Sequence, residues 1–126
     1  MKTNSIRKLV ASRLETVCEN VYYRVADKDA MYPHIVFSLR SIILGDIHRD
    51  DLMMDIDIWH KRTAGGTEIA EIEDLADLVE GLFHCENLPQ EDILPTFFRV
   101  SRNLAEDDDK NIEHRVLQIQ IQNYER

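Results

Sequence analysis

Alternation of apolar and polar positions is sharpest at residues 51–60, DLMMDIDIWH, near the middle of the chain. On an extended backbone Leu52, Met54, Ile56 and Ile58 fall on one side, and Met53, Asp55, Asp57 and Trp59 on the other. One dry face and one mixed acidic face mark a central or near-central strand. Residues 34–44, HIVFSLRSIIL, predict a second long strand, with Ile35, Phe37, Leu39 and Ile43 opposed to Val36, Ser38, Arg40 and Ile42. The polar connection between them, GDIHRDD, is short enough for a hairpin. Residues 96–103 (TFFRVSRN) predict another strand. Residues 112–124 predict the last one, where Leu117, Ile119 and Ile121 alternate with Gln118, Gln120 and Gln122.

Two stretches carry helical spacing instead. Ile6, Leu9, Val10, Leu14, Val17 and Val21 recur every three or four residues, which predicts a helix over 5–19 capped by Asn4 or Ser5. Ile69, Ile72, Leu75, Ala76, Val79, Leu82 and Phe83 form a second stripe, entered through the turn at 63–67. Glu68 and Glu71 sit near that helix's positive end, and Gly81 weakens its last turn. Residues 21–25 (VYYRV) read as a short strand or an extended lead-in. Pro33 holds Tyr32 extended, and residues 84–95, with two prolines, read as a loop. The expected architecture is one α+β domain over 1–126: an antiparallel sheet of about four strands with two helices packed on one face.

Composition narrows the role. A chain of 126 residues, 44% hydrophobic with four Gly and three Pro, is globular rather than disordered. A formal charge of -9 argues against a protein that grips nucleic acid through its phosphates. Cys18 and Cys85 lie in no CxxC and read as reduced. Charges interrupt every apolar pair of the first fifteen residues, so no signal peptide is expected, nor any membrane span. The expectation is a soluble protein made in the cytoplasm.

Chemistry is sparse. Asp55 and Asp57, with His48 and His60 nearby, have the residue types of a metal or acid–base site. A solvated or subunit-facing polar side of the sheet is the simpler account. The acidic tip at 106–109 lacks the spaced ligands of a calcium loop. His84 beside Cys85 has no visible third partner, and Gly65-Gly66 is too short to cradle a phosphate. No enzyme and no cofactor are expected. The glutamine row suits a wet protein interface.

Taken together, an N-terminal helix, the Tyr-Pro-His-Ile-Val-Phe entry at 32–37, and the Asp-Ile-Asp-Ile-Trp strand end at 55–59 resemble a known family. A helix over 67–83 and a hydrophobic final strand complete the pattern, which covers residues 6–124. The chain is similar to the small tail-completion, or tail-terminator and head–tail joining, proteins of long-tailed bacteriophages and prophages. The resemblance implies a virion structural protein that forms a ring, commonly a hexamer. Such a ring stops tail-tube growth, meets the head connector, and lets DNA through its centre without specific binding. No catalytic residue comes with it. Ring closure needs two unlike patches, and Asp55, Asp57, Trp59, Gln118, Gln120 and Gln122 are the candidates. The loops carrying Asp50, Asp51, Asp107, Asp108 and Asp109 are expected at the lumen or a rim, where negative charge lets DNA slide. The competing readings are an acidic binding module of inhibitor or immunity type covering a basic partner, and a small metal-binding or catalytic domain.

Overall fold

The computed structural model describes residues 3–43, 49–84, 88–90, 92–106 and 109–125. The first helix, α1 (Thr3–Glu15), presents Ile6, Val10 and Leu14, one per turn, and all three are fully buried. A turn through Cys18 leads into β1 (Val21–Tyr23), followed by β2 (His34–Ile43) and β3 (Arg49–Lys61). Then come α2 (Thr67–Leu82), β4 (Ile93–Ala105) and β5 (Ile112–Glu125). The strands lie in the order β1-β2-β3-β5-β4, so the DLMMDIDIWH segment is the middle strand. Both helices pack on one face of the sheet, against a cluster that includes Phe37, Met54, Ile56, Phe97, Ile119 and Phe83. The Phe83 and Phe97 rings meet at 5.0 Å.

The sheet has five strands and is mixed, where about four antiparallel strands were expected. The difference is β1, which pairs parallel to β2 through Val21↔Ile35, Tyr22↔Val36 and Tyr23↔Phe37. Three residues of VYYRV suffice because the next one, Arg24, takes a left-handed φ of 72° and turns the chain away after its N–H bonds Phe37 O. Residues 24–33 make the parallel return to β2 without a helix. Strand β4 begins three residues earlier than the alternation suggests, at Ile93, within the stretch expected to be a loop. Pro95 is tolerated there because β4 is an edge strand and needs no donor at that position.

The second helix is rotated slightly from its expected stripe. Ile69 is 51% exposed, while Glu68 is buried at the helix start. Its carboxylate accepts the Thr63 N–H at 3.1 Å and the Thr63 hydroxyl at 3.0 Å. That local role substitutes for a side-chain cap, which the preceding Gly66 cannot supply. Among the described residues, no helix is long and apolar enough to cross a membrane.

A candidate interaction surface on the open sheet face

The helices cover one face of the sheet; among the described residues no helix or strand covers the other, and strand register places its side chains in rows. His34, Trp59 and His114 are direct cross-strand neighbours. Their rings stack in that order, at centroid distances of 5.4 and 4.2 Å. Tyr32 and Tyr22 close on His34 at 5.0 and 6.2 Å. The next row is Val36, Asp57 and Val116, and Asp57 Oδ1 lies 2.7 Å from His114 Nε2. One row on, Ser38, Asp55, Gln118 and Ser101 align across four strands. Arg40, Met53, Gln120 and Phe98 follow, then Asp51, Gln122 and Thr96.

The structure therefore brings Asp55, Asp57, Trp59, Gln118, Gln120 and Gln122 onto one surface, as their parity requires. It also shows that Asp55, Asp57, Trp59 and Gln118 are occupied. Asp55 accepts the Arg40 Nε–H at 3.3 Å with one oxygen and the Gln118 amide at 3.0 Å with the other. Gln118 in turn accepts the Ser101 hydroxyl at 3.2 Å. Trp59 has a histidine against each face of its indole, so no flat ligand can stack on it. A surface that mixes amides and hydrogen-bonded carboxylates with aromatic rings, Met53 and Arg40 has the make-up of a protein–protein contact.

His34, Arg40, Ser101 and His114 belong to this surface and were missed in the sequence. For His34, Arg40 and His114 the signal was parity, since each shares the outward phase of its strand, but the partners they meet lie 15 or more residues away; Ser101 joins the row only through the bulge between Arg99 and Ser101. His60, grouped above with Asp55 and Asp57, points to the helix-covered side, with Nε2 2.6 Å from Glu71 Oε2. Burial is the main influence on His34 and holds its imidazole below the usual range. Burial also pushes the Cys18 thiol up, which makes it a poor nucleophile. His48 and Cys85 lie outside the described residues. Among those described, no group of three or more His, Cys, Asp and Glu could hold a metal ion.

The acidic positions expected at a common lumen or rim fall apart. Asp50 and Asp51 are in β3 rather than in a loop, and Asp51, opposite Gln122, is buried at 5% exposure. Asp107 and Asp108 lie outside the described residues. Asp109 is exposed, its carboxylate accepting the Asn111 N–H at 2.9 Å, at the far end of β5. Ten strand positions of about 3.3 Å each separate the two sites, roughly 33 Å.

A second polar cluster lies on the covered face, where β5 runs out from under the helices. Arg115, 8% exposed, donates to Glu113 at 3.0 Å and to Glu73 of α2. Glu113 also takes Arg62 at 2.7 Å, and Arg102 reaches Glu73 at 2.5 Å and Asp77 at 2.6 Å. The Arg115 bond holds the Glu73 carboxyl below its usual range. For Glu113, burial alone would raise the value, but the bonds from Arg115 and Arg62 outweigh it and lower it. This cluster ties α2 to the sheet.

No protein family and no curated protein matches the chain by sequence. Among solved structures, it is similar in fold to a chain of the structure described as "Virion of native gene transfer agent (GTA) particle". The TM-score is 0.69 over 93% of this chain and 92% of that one, at 9% sequence identity. At that identity the likeness is one of fold, and it spans nearly the whole of both chains.

Proposed function

We propose that this chain is a structural protein of a phage-like virion: a ring subunit that caps the tail tube and joins the tail to the head connector. The observation that carries the reading is the near-complete fold match to a chain of a gene transfer agent virion. The tail-terminator assignment comes from the sequence resemblance, to which a bare, hydrogen-bonded sheet face suited to meeting other proteins adds support. On this reading the chain works through its surfaces and carries out no chemistry. Asp55 and Asp57, the pair with the residue types for it, are engaged in cross-strand bonds.

The test is assembly. The purified chain is mixed with the tail-tube protein encoded by the same genome and followed by sedimentation and negative-stain microscopy. Rings on one end of tubes of limited length are the expected result. Tubes that grow unchecked and carry no added density would overturn the proposal. A stoichiometric complex with an unrelated basic protein, and none with the tube, would transfer the assignment to the inhibitor-type reading.

A further inference from the structure

Trp59 is the single tryptophan of the chain, and the two imidazoles that enclose it differ in their surroundings. His114 stacks at 4.2 Å and 18° from parallel, with Asp57 Oδ1 2.7 Å from its Nε2. That ring can hold a proton and stay in place, because a carboxylate and an indole face both stabilise a cation set against them. His34 stacks at 5.4 Å and 28°. It is 8% exposed, and its Nδ1 is buried with no hydrogen-bond partner.

The charged groups around the stack are few. On β3, Asp57 and Lys61 share the outward phase of Trp59. On β5, His114 is flanked in phase by Ile112 and Val116; Asn103 and Ala105 on β4 and Tyr22 on β1 bring no charge. Asp55, two rows along, is bonded to Arg40 and Gln118. The 24–33 connection carries Arg24, Asp27, Lys28 and Asp29, whose side chains bond neither histidine. One carboxylate therefore faces two imidazoles, and His114 holds it. A proton on His34 makes both ring nitrogens donors, and the buried one has no carboxylate to meet. Burial disfavours that charged form and outweighs the Met31 carbonyl, which favours it. The charge is relieved by turning outward into water, on a face that no helix or strand of the described residues covers.

We propose that the His34–Trp59–His114 stack is a proton-operated clasp: with both imidazoles neutral it encloses the indole, and a proton on His34 drives that ring out of the stack and uncovers one indole face. The open form holds one proton more than the closed one. Each pH unit below the free imidazole value, about 6.5, therefore favours opening by up to about tenfold. The open face of the sheet then has two shapes, selected by pH. This goes beyond the ring reading and does not depend on it.

Acrylamide quenching of the single tryptophan measures how far its indole is uncovered. In wild type the quenching constant should be at least about twofold higher at about pH 5.5 than at about pH 7.5, one unit on either side of the free imidazole value. Unchanged far-ultraviolet circular dichroism checks that the fold persists at both. His34→Phe keeps in the stack a ring that takes no proton, so its constant should stay low throughout. His34→Gln cannot titrate either, and should be equally independent of pH if the larger ring does not fit. His114→Gln bares the other indole face, so it should start higher and still rise on acidification. A wild-type constant that does not change, a rise that persists in both His34 variants, or a rise lost in His114→Gln overturns the inference. Tube capping is read separately, so failure of the ring reading would leave the clasp standing.

Discussion

Arg115 shows how much a single residue carries here. It is nearly buried, and so is Glu113, its partner at 3.0 Å. Removing one member of a buried ion pair leaves an uncompensated charge, at a cost of about 3–5 kcal/mol. Arg115→Ala is expected to lose that much in urea unfolding, and Arg115→Ala with Glu113→Gln to recover part of it. Acid acts on the same cluster. Glu73 and Glu113 have folded values below their unfolded ones, so their contribution is complete above the unfolded carboxylate range and is lost as pH falls through the folded values. His34 is likewise depressed, so the unfolded chain takes its proton first, and stability begins to fall below about pH 6.5. The urea midpoint should be flat between about pH 7 and 8, decline gently below about 6.5, and drop steeply below about 4.5. His34→Gln should remove the gentle decline alone; a midpoint unchanged between pH 7 and 5.5 in wild type would contradict this.

At the scale of the element, the entry to α2 depends on backbone conformation more than on a cap. Gly66 takes a left-handed φ of 70° and has open space where a side-chain methyl would stand, while Gly65 has none of that backbone constraint. Gly66→Ala should therefore cost about 1–2 kcal/mol through strain alone, and Gly65→Ala, whose added carbon would come no nearer than 3.9 Å to Thr67, should be close to neutral. Paired thermal melts distinguish the two. The middle strand responds to packing instead: Ile56→Ala, at 0% exposure in the centre of the sheet, is expected to cost about 2–5 kcal/mol. How much of each element was legible followed from how local its signal was. The faces of β3 and β5 agree residue for residue with their alternation, because side chains alternate on any strand. The fifth strand was obscured because three residues carry too little pattern, and the start of β4 because Pro95 reads as a breaker until the strand is known to be an edge.

For the whole molecule, the open face is the feature that the proposed assembly would use. Trp59→Ala removes the ring held between His34 and His114. Its expected effect is a loss of about 1–3 kcal/mol in stability, since each of the two ring pairs contributes about 0.5–1.5 kcal/mol beyond burial. The larger expected effect is failure to cap tubes at wild-type concentrations. A variant that caps normally would remove the open face from the assembly surface. The six residues singled out as interface candidates lie on one face of the sheet. Of the five acidic positions assigned to a lumen or rim, Asp51 is buried in a strand and Asp109 lies some 33 Å away along β5, by about 3.3 Å per residue. Charge runs are visible in a sequence, but their separation in space is not.

The amino-acid order by itself determined which side of α1, β3 and β5 is dry, because those periods arise from the backbone geometry of a single segment. It also determined that Asp55, Asp57 and Trp59 share a face, for the same reason. Only the tertiary structure decided that Asp57 meets His114, that Asp55 meets Gln118 and Arg40, and that Trp59 is enclosed by two histidines. Those contacts depend on which strands are neighbours and in what register, and that is settled by the packing of all five strands beneath two helices.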